Sequence, residues 1–239
     1  MRKELPLYIF TDFDGTISLK DIGDEIFKKF SNFELYISQL LSGEINIYKY
    51  WESVCANLSS NVTEETINDF ALTFDIDPNF KKFTGYCKEN NIPLTIISDG
   101  FDVYIDAFLK THKIDRIKVF CNKLIFNSGK AIPYFPYAGE SCKCLSAVCK
   151  RNSMLSEVPE DAVIIFIGDG FSDYCAAEHS DIIFAKDKLA AYCNEKKIPH
   201  YPYSTFFDVY QILTDIIKKK KYKIRNQARL LRKKAFEIE

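Results

Sequence analysis

No apolar run in this chain reaches the length of a membrane span; the longest, such as AVIIFIG around Val163, suit buried strands. No GxSxG elbow, Walker loop or GxGxxG is present, so the usual signatures of serine hydrolases, P-loop nucleotidases and dinucleotide enzymes are missing. Histidine occurs only as His112, His179 and His200, in unrelated contexts that read as helix ends or surface, which leaves no histidine triad or histidine metal site. There is no arginine between Arg2 and Arg116, so half the chain has no bidentate fork for an anion. The eight cysteines are scattered except for Cys142, Cys144 and Cys149 in ESCKCLSAVCK. No second pair or neighbouring histidine completes four ligands there, and they read as reduced thiols on a helix. The N-terminal MRKELPLYIFTDFDG starts with charge, but its apolar run ends in acids; it does not read as a signal peptide, and the expected location is cytoplasmic. Internal repeats are absent, and the only biased segment is a basic tail.

With 239 residues, 47% of them hydrophobic, the chain can bury a substantial core as one large domain or as a core plus an insert. The net charge of −1 is unevenly spread. Residues 218–239 carry ten Lys/Arg against two Glu, which leaves −9 for the rest. Such a tail could touch nucleic acid, but a solvated C-terminal helix or frayed end is the simpler reading.

Apolar segments recur along the chain: LYIFTDF, PLTIISDG from Pro93, AVIIFIGDG, and DIIFA from Asp181. Continuous apolarity means burial on both faces, hence a parallel sheet covered by helices. Helical stretches fall between them, NFKKFTGYCKENN before the second, FDVYIDAFLKTH after it and FSDYCAAEHS after the third, so the expected fold is an open α/β sheet with its site at the carboxyl ends of the strands. Residues 20–79 break the alternation with helical periodicity and no strand, and read as a helical insertion above the site. IKVFCNKLIFNSGKAIPYFPY reads as a small β-excursion.

The strand ends carry the chemistry. Asp12, Asp14, Thr16, Ser98, Asp169 and Asp173 would meet at one edge. Four carboxylates cannot converge without a cation, because like charges raise one another's pKa. A hard divalent ion with oxygen ligands is the natural partner, and Mg²⁺ suits few carboxylates plus water. Hydroxyls and glycine-rich amides add phosphate donors, so the set points to phosphoryl transfer. A lysine should come from between the second and third strands: Lys143 is the choice, with Lys130 and Lys150 as alternates.

DFDGT, SDG, a lysine and GDGFSD, in that order, resemble the four motifs of the haloacid dehalogenase-like phosphatases over essentially the whole chain. The resemblance implies a Rossmann-like three-layer core from 1–19 and 80–217, a cap at 20–79 and a basic segment at 218–239. It implies Asp12 as nucleophile forming an aspartyl-phosphate, and Asp14 as acid then base, binding Mg²⁺ only through its backbone carbonyl. It further implies Asp12, Asp169 and Asp173 at the metal. Thr16, Ser98, Asp99, Gly100 and Lys143 would lie around the phosphoryl group.

The insert resembles the cap of the phosphoserine phosphatase-like branch. Phosphoserine phosphatases place a glutamate soon after the first motif, where Asp21 stands here, and a cap arginine that this chain lacks. The segment GDGFSDYCAAEHSDIIFAKDKLAAYCNEKKIPHYPY is similar to the 2-hydroxy-3-keto-5-methylthiopentenyl-1-phosphate phosphatases of methionine salvage. Aromatics of the insert, including Tyr48, Tyr50 and Trp51, could receive an apolar leaving group or form part of its core. Asp21 with Trp51 could instead bind an ammonium group, as in phosphocholine or phosphoethanolamine. The remaining alternatives are a non-catalytic phosphate-ligand sensor, against which the acid pair argues, and a nucleic-acid-associated protein. The expected partner is a small phosphorylated metabolite, not a membrane.

Overall fold

The computed structural model describes residues 5–139, 142 and 144–238. The chain begins with β1 (Leu7–Thr11) and enters four helices, α1 (Ile22–Phe30), α2 (Phe33–Leu41), α3 (Ile47–Ala56) and α4 (Glu64–Ala71). It returns through α5 (Phe80–Glu89), β2 (Leu94–Phe101), α6 (Asp102–Thr111) and the hairpin β3 (Lys118–Asn127) and β4 (Lys130–Tyr134). Then follow α7 (Lys150–Leu155), β5 (Val163–Gly168), a 3₁₀ turn (Phe171–Asp173), α8 (Tyr174–His179) and β6 (Ile182–Ala185). The chain ends with α9 (Asp187–Glu195), β7 (Tyr201–Pro202), α10 (Phe206–Lys218) and α11 (Asn226–Ile238).

The seven strands form one sheet in the order β4-β3-β2-β1-β5-β6-β7, parallel except for β4. Strands β5 and β6 are apolar throughout because both faces are covered. Val163, Ile165 and Ile167 of β5 face one core with Ile9, Ile96 and Phe184, whereas Ile164 and Phe166 face the other with Phe10, Ile97 and Ile183. Each such side chain contributes roughly 1.5–3 kcal/mol by burial. Chain direction from β1 runs outward through β2 to β3 and resumes at β5 on the other side. The carboxyl ends of β1 and β5 therefore flank a topological switch point, where open α/β sheets hold their ligands.

Two regions differ from the sequence reading. The expected β-excursion is half core: β3 pairs parallel with β2 through Thr95↔Lys118 to Ile97↔Phe120 before turning back with β4. Its exposed alternating residues belong to the hairpin end, which masked the buried start. The C-terminal segment is a packed helix rather than a solvated or frayed one. Ala228 and Ala235 of α11 are buried, Arg232 bonds His179 O and both Asp181 carboxylate oxygens, and Arg225 bonds Ala177 O, Glu178 O and Ser180 O.

Residues 20–79 contain α1–α4 and leave the core through a narrow neck. Ser18 and Ile76 form an antiparallel bridge, with Leu19 N on Asp75 O at 2.9 Å and Asp77 N on Ile17 O at 2.8 Å. Start signals are local: Asp21 caps α1, Asn46 caps α3, and Thr63 with Thr66 forms a capping box on α4. Among the described residues no helix is long and apolar enough to cross a membrane.

Candidate active site

Asp12 and Asp14 follow β1 directly, and Asp169 and Asp173 follow β5, so the switch point brings both acid pairs together. Carboxylate oxygens of Asp12, Asp169 and Asp173 lie within 4.8 Å of one another. The Lys150 ammonium, itself buried, bridges two of them, donating to Asp12 Oδ1 at 2.7 Å and Asp173 Oδ1 at 2.6 Å. Burial alone would depress that lysine's pKa, but the two carboxylates outweigh it and hold the ammonium protonated above its usual range. Burial raises Asp12 well above the carboxylate range, and Asp173 and Asp169 raise it further against the pull of Lys150. Asp169 is pushed up to about 6 by burial and then by Asp173. Three carboxylates and one ammonium leave two negative charges uncompensated, which is the donor set and charge that a divalent cation with oxygen ligands fits.

Asp173 shapes the turn as well as the charge. Its Oδ2 accepts from the amides of Asp169 and Gly170, each at 3.0 Å. A side chain at Gly168 would collide with that carboxylate. Gly15 has φ +72°, and a Cβ there would sit 2.6 Å from Asp169 Oδ2, so glycine is required on both counts.

Asp14 points elsewhere. Its carboxylate accepts from Ile22 N at 2.9 Å and Gly23 N at 3.3 Å, at the N-terminus of α1. Tyr104 Oη donates to Asp14 Oδ2 at 2.7 Å, and Ser98 Oγ approaches the same oxygen at 3.4 Å. Burial and then Asp21 raise Asp14 to about 7, although Tyr104 and the two amides pull it down. A carboxyl group in that range can both give and take a proton near neutrality. Tyr104 was not legible as a site residue; a signal exists in Gly100, where any Cβ would run into its hydroxyl.

Other expected residues fall in different places. Thr16 is fully buried and its hydroxyl donates to Asp169 Oδ1 at 2.9 Å, while its amide bonds Phe13 O. Both donors are therefore taken, and the residue orients Asp169 instead of facing a phosphate. Asp99 turns its carboxylate away from the acids, onto Ala147 N at 2.6 Å and Val148 N at 3.0 Å. It thus anchors the loop that carries Lys150. Ser98 accepts from Gly100 N at 2.9 Å and closes the β2 turn. Lys143 lies outside the described residues, and the ammonium found between Asp12 and Asp173 is that of Lys150. Lys130 starts β4, the edge strand of the sheet.

A cleft of about 520 Å³ opens above these groups, between the sheet edge and the helical insert. Its far wall is apolar, with Phe33, Ile37, Leu40, Leu41 and Ile47 from α2 and α3. Asp21, the cap of α1, and Asp24 and Lys28 within it line its mouth together with Lys188. Trp51 is mostly core: it packs on Phe27 and Phe101 and donates from Nε1 to Asp99 Oδ2 at 3.2 Å. Tyr50 is buried and lines the same cleft, and its hydroxyl has no hydrogen-bond partner among the described residues.

The chain has a haloacid dehalogenase-like fold, and its family and relatives make it a phosphatase, a phosphomonoester hydrolase. The chain belongs to the family described as Putative Phosphatase, whose model matches residues 7–198. Its relatives include a 2-hydroxy-3-keto-5-methylthiopentenyl-1-phosphate phosphatase of Geobacillus thermodenitrificans, 31% identical over 87% of this chain and 95% of that protein. The protein of the same name from Brevibacillus brevis is 30% identical over 88% of this chain and 96% of its own length. A phosphoserine phosphatase solved as a phospho-aspartyl intermediate analogue shares the fold with a TM-score of 0.65 at 17% identity, over 88% of this chain and 98% of that one.

Proposed function

We propose that the protein hydrolyses a small phosphomonoester through an aspartyl-phosphate on Asp12. A carboxylate oxygen of Asp12 attacks phosphorus as the bond to the leaving oxygen breaks, and the Asp14 carboxyl gives that oxygen its proton. Water then attacks the same phosphorus, Asp14 takes the water's proton, and the Asp12–phosphorus bond breaks to release inorganic phosphate. Lys150 holds Asp12 in place, and the Ser98 hydroxyl offers a donor to the phosphoryl oxygens. Asp12, Asp169 and Asp173 would hold Mg²⁺, with the Asp14 backbone carbonyl as a further ligand; when bound, it supplies the positive charge that a phosphate dianion needs beside these acids. Residues 20–79 act as the cap that shields this chemistry from bulk water, over a core of 1–19 and 80–217. Eight unpaired cysteines suit a cytoplasmic location.

The proposed substrate is 2-hydroxy-3-keto-5-methylthiopentenyl-1-phosphate or a close relative. The observation that carries this is the apolar far wall from α2 and α3, which suits a thioether tail, in a cap without arginine. The relatives' names point the same way. A second reading rests on Asp21 and Asp24 at the cleft mouth beside Tyr50 and Trp51, a setting for an ammonium head group. A phosphate-release screen with Mg²⁺ separates them. The thioether substrate should rank first, phosphoserine should be weak, and chelation should stop turnover. Asp12→Asn should abolish turnover in a folded protein. Preference for phosphocholine or phosphoethanolamine would favour the second reading, and selective hydrolysis of phosphoserine would defeat both.

A further inference from the structure

Beyond the active site, the cysteines read from sequence as ordinary thiols converge. The sulfurs of Cys142, Cys144 and Cys149 lie within 4.8 Å of one another. The fourth is Cys175 of α8, which the sequence places far from the trio; its sulfur is 3.5 Å from Cys142 Sγ. Cys142 is the hub, since its sulfur lies close to all three others. None of the four is in a disulfide, and 3.5 Å is well beyond the roughly 2.05 Å of an S–S bond. Tetrahedral zinc with bonds of about 2.3 Å holds its sulfurs about 3.8 Å apart, close to the 3.5 Å between Cys142 and Cys175 and inside the 4.8 Å that bounds the trio.

We propose that Cys142, Cys144, Cys149 and Cys175 form a zinc site of four thiolates, distinct from the carboxylate site. Cys175 reaches the trio through Cys142, and its side chain would turn toward Cys144 and Cys149 to take the fourth vertex. The surroundings are built for close approach: a Cβ at Gly139 would lie 2.7 Å from Cys149 Cβ and 2.8 Å from Cys149 Sγ. Three ligands come from the loop before α7 and one from α8, so the ion clips that loop to the helix following Asp173. Cys149 immediately precedes Lys150, and Cys175 follows Asp173 by two positions. The clip therefore fixes the two ends of the Lys150–Asp173 ion pair, and Lys150 in turn positions Asp12. The role is structural: the ion touches no reacting atom.

The test is elemental analysis of the full chain purified without chelator, with Cys193→Ser as a control outside the cluster. One zinc per chain is expected in the wild type and the control, and background zinc in Cys142→Ser and Cys175→Ser. Replacement by cobalt should give the thiolate charge-transfer and visible ligand-field bands of a tetrahedral site. This readout on the wild type remains decisive if a serine variant fails to fold. Native thiol titration should leave these four unreactive until the zinc is removed. Zinc removal followed by restored Mg²⁺ should lower kcat with little change in KM. Zinc-free protein with all four thiols reactive, or a mass two units low from a Cys142–Cys175 disulfide, overturns the proposal. Full zinc in Cys175→Ser overturns the four-thiolate set, and an iron–sulfur chromophore overturns the metal.

Discussion

At the scale of single residues, the acids were legible and their partners were not. Asp12, Asp14, Asp169 and Asp173 stand at the ends of strands whose apolar cores make them easy to find. Sequence order does not say which of several basic residues a loop folds inward, and among the described residues it is Lys150 that lies over Asp12. Asp99 decides it, by drawing Ala147 N and Val148 N onto its carboxylate and setting the following Lys150 over Asp12. Lys150→Met should therefore cost turnover about 10²-fold or more, as the removal of one positioned charge does, and steady-state kinetics would show it. Retained turnover would return the role to another cation. Tyr104 gives a second expectation. Its hydroxyl bond stabilises the Asp14 carboxylate and lowers its pKa, so Tyr104→Phe raises that pKa. The acid form then survives to higher pH, and the alkaline limb of the phosphoryl-transfer burst on an alkyl phosphate should shift upward. An unmoved or downward limb would remove Asp14 as the proton donor.

At the scale of elements, helical periodicity located the insert but not its internal breaks. The stretch around Ser31 and Asn32 reads as continuous helix, yet α1 stops at Phe30 and α2 restarts at Phe33, because Ser31 turns its hydroxyl onto Val54 O of α3. That break turns α2 so that Ile37, Leu40 and Leu41 face the cleft. Trp51, singled out from sequence for substrate contact, is a poor probe of that wall. It sits in the aromatic core, and Trp51→Ala should cost roughly 3–5 kcal/mol of stability, mixing unfolding with specificity. Leu41 is exposed and lines the cleft, which makes it the cleaner test. Leu41→Asp should lower kcat/KM for the thioether phosphate by roughly 10-fold, the scale set by one apolar group in a substrate pocket. A small aryl phosphate that does not reach the wall should be hydrolysed as before. Equal losses on both substrates would mean that α2 acts through cap closure and not through the tail.

At the scale of the whole molecule, the basic C-terminal segment changes meaning once folded. Its charge pattern suggests a solvated face, because sequence cannot distinguish an arginine facing water from one facing carbonyl groups. Arg232 and Arg225 face carbonyls at the end of α8, where a helix leaves its acceptors unsatisfied, and both hold Asp181 at the start of β6. Asp181 also accepts Ile164 N at 2.8 Å, so this one carboxylate ties α11 to β5 and β6. The Arg232–Asp181 pair is buried, with side-chain exposures of 8% and 0%. Breaking one partner of such a pair strands the other charge and costs about 3–5 kcal/mol. Arg232→Met keeps most of the packing volume and removes only the charge and donors. For a chain of this size it should lower Tm by roughly 2–4 °C for each kcal/mol lost. Because the pair is shielded from solvent ions, the drop should be nearly the same at low and high salt. A salt-dependent loss would instead place the arginine on a solvated face. The active site lies at the opposite, carboxyl ends of the strands, so kcat at a temperature where the variant is folded should match wild type. A lowered kcat with unchanged Tm would mean that α11 acts on the site through α8 and the Cys175 end of the thiol cluster.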